Sequence, residues 1–213
     1  MNATVVYVHG LWLSGHEAFM LRRRLEKDRG YAWQTFSYAS TLLTMAQIAD
    51  ALNATIAALD TPVVHLVGHS LGGIAIMRCL ERNPQQPPGR IVFLGTPSLS
   101  SRAANALVRF RLGRALLGQA AGEELLYAHQ RAWSHERELG IIAGDQSLSL
   151  GRLIADFDEP NDGTVAVSET RLPGAKAHLT LPVSHSGMLL SARVAHEVGQ
   201  FLEYGHFGAP TPH

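Results

Sequence analysis

The sequence predicts an α/β protein, a three-layer α/β/α sandwich built around a mainly parallel sheet. Three observations carry that expectation. Short apolar runs of strand length recur along the chain, and stretches with apolar residues at helical spacing separate them. One run, Val63-Val64-His65-Leu66-Val67, passes through Gly68-His69-Ser70-Leu71-Gly72-Gly73 directly into a helical pattern. Strand and helix in alternation, joined by right-handed crossovers, give a parallel sheet covered on both faces. The site of such a fold lies at the carboxyl ends of its strands.

The elements follow in order. Residues 4–8 read as a buried strand, and His9-Gly10-Leu11-Trp12-Leu13 as the turn after it. Ser14 and Glu17 have capping-box spacing and predict a helix start, with Ala18, Leu21 and Leu25 on its apolar face and Gly30 as its stop. A second strand is expected over residues 32–38. Thr44 and Gln47 form a second capping-box pair before Met45, Ile48, Leu52, Ile56 and Leu59, which mark an amphipathic helix. The helix after Ser70 is apolar nearly all round, from Leu71 through Ile74, Ile76, Met77 and Cys79 to Leu80, and Asn83-Pro84 ends it. Residues 90–94, 139–143 and the shorter 179–182 complete the strands. Val194, Val198 and Phe201 give a final helix its stripe, and His196 within it reads as a surface or packing residue. Residues 98–133 break the rhythm, because apolar Leu107, Phe110, Leu112, Leu116 and Leu117 alternate there with Arg102, Arg109, Arg111 and Arg114. That segment reads either as a small helical cap over the site or as an extended crossover.

At 213 residues the chain fits a single domain with one core. Lysine plus arginine equals aspartate plus glutamate, 18 against 18, so nothing in the charge points to nucleic acid. The expected partner is instead a small molecule bound in a site. Cys79 is the only cysteine, which excludes an intramolecular disulfide. The first residues lack a basic start followed by an apolar leader, and no apolar run has membrane-spanning length, so a cytoplasmic protein without stable membrane insertion is expected. Oligomeric state is left open. The eleven histidines show no His-x-x-x-His or other clustered ligand spacing, so no metal site is expected.

The chemistry starts at Gly68-x-Ser70-x-Gly72, a serine on a strand-to-helix turn. A serine hydroxyl needs a base within hydrogen-bond reach and a carboxylate that fixes the base's tautomer. On such a fold these follow the nucleophile in the order acid, then histidine. Asp162, in the turn Asn161-Asp162-Gly163-Thr164-Val165, is the first choice for the acid, and Asp145, just beyond residues 139–143, is its rival. Asp156 and Asp158 complete the candidates. His185 is selected as base by its position between the last strand and the final helix. An oxyanion formed on attack needs backbone N–H donors, for which Leu71 and Leu11 are the candidates, with His9 bracing the loop. Trp12 and Leu13 are expected to line an apolar substrate pocket.

Taken together, His9-Gly10-Leu11, Gly30-Tyr31, Gly68-His69-Ser70-Leu71-Gly72-Gly73, Leu94-Gly95-Thr96-Pro97, Asn161-Asp162-Gly163-Thr164-Val165 and His185 run in an order that resembles small bacterial lipases and esterases of the α/β-hydrolase superfamily. The resemblance spans nearly the whole chain. It implies an α/β-hydrolase fold and carboxylic ester hydrolysis through an acyl-enzyme, with Ser70, Asp162 and His185 as triad and no cofactor. A thioesterase or acyltransferase on the same scaffold is the alternative, and a non-catalytic binding protein a further one. The chain departs from the pattern at Ser98, where such lipases often carry histidine.

Overall fold

A computed structural model describes residues 3–98, 132–147 and 158–208. Six strands form one sheet: β1 (Ala3–Val8), β2 (Ala32–Phe36), β3 (Val63–His69), β4 (Ile91–Leu94), β5 (Leu139–Gly144) and β6 (Ala177–Leu181). Their order is β2-β1-β3-β4-β5-β6, and every pairing is parallel. The inner strands are mostly apolar because both faces of each are covered, although β3 also buries His65 and His69, whereas the edge strands β2 and β6 are partly exposed.

Alternation along the strands sends Val6, Val8, Leu66, Phe93 and Ile141 to one face, where α2 (Met45–Ala57) and α3 (Leu71–Arg82) pack with Ile48, Leu52 and Ile74. Val5, Tyr7, Val67 and Ile142 point the other way, toward α1 (Phe19–Arg29) and α4 (Ala192–Tyr204) with Leu21, Leu25, Val198 and Phe201. The three expected layers are thus present. The chain goes from β1 outward to β2 and then returns to β3 on the other flank of β1. Their carboxyl ends therefore face a crevice at the point where strand order reverses.

Most boundaries follow the sequence reading, and the differences have local causes. Thr44 and Gln47 form the reciprocal box that starts α2. Ser14 and Glu17 do not form one. Gly15 turns the chain in the left-handed region at φ 96°, a 3₁₀ turn (His16–Ala18) precedes α1, and the Ser14 hydroxyl lies near His16 Nδ1 at 3.0 Å. Glu17 accepts instead from the Ser14 and Gly15 amides at 3.4 and 2.8 Å and from the Tyr7 hydroxyl at 3.1 Å. Gly30 closes α1 at φ 68°, with its N–H on the Glu26 carbonyl. β2 ends at Phe36, short of Tyr38, which leaves the sheet to meet His9. His178, expected just before the last strand, lies inside β6 and contacts Thr170 Oγ1 through Nε2 at 2.8 Å. Of the segment 98–133 only Ser98, Ala132 and Trp133 are among the described residues, so the choice between cap and crossover lies outside them, as does Asp156.

Candidate active site

Ser70 follows β3 directly and is the residue from which α3 starts. Its backbone, at φ 53° and ψ −122°, occupies a region that side chains rarely adopt, a strain costing about 1–3 kcal/mol. Neighbouring groups hold it there. The Ser70 N–H donates to the Leu94 carbonyl at 2.9 Å, and the Ser70 carbonyl accepts from Thr96 Oγ1 at 3.0 Å and the Gly73 N–H at 3.1 Å. The flanking glycines let backbones meet: a Cβ on Gly68 would stand 2.6 Å from Gly73 Cα, and one on Gly72 would stand 2.1 Å from the Val8 carbonyl oxygen. Tight packing of α3 against β1 and β3 thus requires the motif's glycines.

His185 and Asp162 are brought together from different loops. Asp162 lies in the turn that Asn161 and Ala166 close by an antiparallel bridge, and His185 in the loop after β6. The Nδ1 of His185 is 2.7 Å from Asp162 Oδ2, while its amide donates to the Asp162 carbonyl at 2.9 Å. Asp162 is 2% exposed and its Oδ1 accepts from the Thr164 and Val165 amides at 2.9 and 2.8 Å. These donors hold the buried carboxylate in one orientation, with Oδ2 toward His185. Asp145 is exposed, and its N–H donates to Leu181 rather than reaching the histidine. Asp158 is exposed as well.

The two halves meet at Gly95, which follows β4. A Cβ placed there would stand 3.0 Å from Asp162 Oδ2 and 3.0 Å from His185 Nδ1. Through the Ser70 to Leu94 bond, the serine's backbone is stitched to the residue before Gly95. Among the described residues Ser70 Oγ makes no hydrogen bond to the His185 ring.

His69, to which the sequence reading gave no role, is wholly buried with its ring centre 4.7 Å from that of His185, and its Nε2 donates to the His185 carbonyl at 3.1 Å. Burial, with the neighbouring His185 second, pushes its pKa down to about 3. A neutral His69 adds no charge beside His185. Its place between Gly68 and Ser70 was the one signal available.

The turn after β1 lies on the other side of Ser70. A Cβ on Gly10 would stand 3.1 Å from Ser70 Cβ. Leu11 is partly buried against the α2/α3 core, Trp12 is 56% exposed with φ 61°, and Leu13 is half-buried with its N–H on the Gly10 carbonyl. The Trp12 N–H is taken by Ser40 Oγ at 3.1 Å. Leu71 is the first residue of α3, where an N–H has no intrahelical acceptor. Ser98, at the departure from the expected histidine, is buried and donates to the Glu169 and Arg171 carbonyls. No cluster of three or more metal-ligating side chains occurs among the described residues.

A strained serine at the reversal of a parallel sheet, with a histidine and a buried aspartate from later loops, is the arrangement of an α/β hydrolase. The chain belongs to that family: the alpha/beta hydrolase family model matches residues 5–200. Among solved structures it is similar to the mature lipase BlEst2 of Bacillus licheniformis, at 20% identity and a TM-score of 0.73, covering 96% of this chain and 92% of that one. It is also similar to a metagenomic carboxyl esterase, at 19% identity and a TM-score of 0.65 over 86% of this chain and 64% of the other. A third is the carboxylesterase CesB of Bacillus subtilis, at 14% identity and a TM-score of 0.58 over 97% and 85%. No curated protein sequence matches this chain. At these identities the likeness establishes the fold, and no described helix is long and apolar enough to cross a membrane.

Proposed function

We propose that this protein is a serine hydrolase that cleaves carboxylic esters of apolar acyl groups through an acyl-enzyme. The observation that carries the reading is the 2.7 Å contact between buried Asp162 and His185, set beside a serine with a strained backbone. Asp162 holds the His185 proton on Nδ1, which leaves Nε2 free to accept one. Nε2 takes the hydroxyl proton as Ser70 Oγ attacks the ester carbonyl. The carbonyl oxygen gains the charge, and the Leu71 and Leu11 amides stabilise it, each donor contributing about 3 kcal/mol in the transition state. His185 then passes its proton to the departing alcohol, and a water activated by the same nitrogen releases the acid from Ser70.

Preference for apolar acyl groups is supported by the surface around the site. Trp12, Phe19, Met20, Leu42 and Leu190 are exposed, and all belong to loops or first helical turns at the carboxyl end of the sheet. Concentrating exposed apolar side chains at one end suits a substrate whose acyl chain is apolar.

The test combines a fluorophosphonate probe with p-nitrophenyl esters from acetate to laurate. The expected result is labelling at Ser70, lost in Ser70→Ala, and turnover that improves beyond acetate. Equal labelling of Ser70→Ala overturns the role of Ser70, and no labelling of the folded wild type overturns the serine mechanism and leaves a binding protein. A clear preference for matched thioesters, or acyl transfer to an added alcohol ahead of water, moves the assignment to a thioesterase or acyltransferase.

A further inference from the structure

We infer that His9 is a positioning residue: its neutral, Nδ1-protonated ring fixes the Gly10–Leu11 peptide so that the Leu11 N–H faces the Ser70 site. The inference rests on the hydrolase reading above and adds the device that aims one oxyanion donor. Two hydrogen bonds define the tautomer. His9 Nδ1 lies 2.7 Å from the Gly10 carbonyl oxygen, which can only accept, so Nδ1 carries the proton. The Tyr38 backbone N–H, which can only donate, reaches Nε2 at 3.1 Å, so Nε2 carries none.

The same ring is immobilised by its surroundings. It is fully buried and stacks on Tyr38 with centres 4.2 Å apart, and the hydroxyl of the same tyrosine donates to the His9 backbone carbonyl at 2.8 Å. Glu17 acts on the ring from the helix-entry turn and His69 faces it from the end of β3. Burial outweighs the Gly10 carbonyl and the attraction of Glu17, which pull the other way, and lowers the ring's pKa, in keeping with a neutral form. An imidazolium would set a proton on Nε2 against the Tyr38 N–H.

Holding the carbonyl aims the amide. The Gly10 carbonyl oxygen is gripped by His9 Nδ1 and by the Leu13 N–H at 3.4 Å. No described peptide is cis, so the N–H of the same peptide unit, that of Leu11, points in the opposite direction. Gly10 itself lies against Ser70, with its missing Cβ only 3.1 Å from Ser70 Cβ. The next amide, that of Trp12, is committed to Ser40. Leu11 therefore carries the amide that this turn offers to an oxyanion, and its direction is set through His9.

Two substitutions separate aiming from filling. His9→Phe keeps a ring in the Tyr38 stack and removes the donor, whereas His9→Asn keeps an N–H at the place of Nδ1 and removes the ring. Measured on a short p-nitrophenyl ester, kcat is expected to fall by about 10²-fold in His9→Phe with little change in KM, and to recover several-fold in His9→Asn. Simple packing predicts the reverse order, and a kcat in His9→Asn at or below that of His9→Phe overturns the inference, as does a loss confined to KM. Should either variant fail to fold, ¹⁵N NMR of the wild-type histidine rings at neutral pH still decides. A protonated Nδ1 and bare Nε2 at His9 are expected, and the opposite tautomer or an imidazolium overturns the assignment. An inactive, unlabelled wild type sinks the hydrolase reading and this inference together, whereas an active one with the variants in reversed order sinks the inference alone.

Discussion

Asp162 uses its two oxygens for different tasks, and the consequences of changing it follow from that division. Oδ1 is fixed by the Thr164 and Val165 amides, so Oδ2 is left facing His185. In Asp162→Asn the side-chain oxygen keeps the two amide bonds, which places the NH₂ group toward His185 Nδ1. The ring then adopts the other tautomer, with its proton on Nε2, and cannot accept from Ser70. We expect kcat to fall by about 10⁴-fold with KM within a few-fold, while Asp145→Asn leaves both near wild type. Steady-state ester kinetics on the two variants check this, and comparable losses in both would remove Asp162 from the mechanism. The serine's place on the strand-to-helix turn was legible because the motif is steric: Gly68 and Gly72 meet backbone at distances that no Cβ tolerates. The choice between Asp162 and Asp145 was not. Asp145 follows β5 immediately and Asp162 arrives from a later turn, and only the fold reveals which of them is buried against the histidine.

At the level of elements, two identical-looking spacings gave different outcomes. In α2 the Thr44 hydroxyl accepts from the Gln47 amide at 3.3 Å, and Gln47 Oε1 accepts from the Thr44 amide at 2.9 Å. In front of α1 only the return half forms, because Gly15 bends the chain and Glu17 is also engaged by Tyr7 of β1. Local spacing could not foresee a tertiary partner for Glu17. Thr44→Ala is therefore expected to destabilise the protein by about 1 kcal/mol, and Ser14→Ala by under about 0.5 kcal/mol, with ester turnover unchanged in the first. Urea unfolding of the two variants measures the difference, and equal costs would contradict the assignment of caps. The strands were easier to read than the helix starts. Inner strands buried on both faces are dominated by apolar residues, with His65 the one polar side chain inside the predicted run of β3, so β1, β3, β4 and β5 fell within a residue or two of expectation. The edges were less distinct, since half-exposed β6 takes in Ala177 and His178 ahead of the short run the sequence predicted from residue 179.

For the molecule as a whole, the layer order was legible because alternating elements admit few topologies, yet the histidine population was not, since burial is a property of the finished fold. Four of the histidines, His9, His65, His69 and His178, have pKa values lowered chiefly by burial, to about 4 for His65 and about 3 for His69. Arg137 and Arg90 beside His65 add to its shift. In the unfolded chain each histidine titrates near 6.5. As pH falls below that value the unfolded state gains protons that the native state refuses, so stability declines, and each contribution is exhausted only once pH passes the folded value. Glu138, held low first by Lys176 and then by Arg90, works in the same direction but over the lower, carboxylate range. The mildly acidic window is thus governed by the histidines. Relative to neutral pH, His65 and His69 should each withdraw on the order of 2 kcal/mol by about pH 5, enough to be a large fraction of an ordinary domain's stability. Urea midpoints taken at neutral pH and at about pH 5 test this. A lower midpoint at acid pH is expected. An unchanged midpoint would mean that His65 and His69 protonate as readily in the folded protein as in the unfolded chain, and would overturn the prediction.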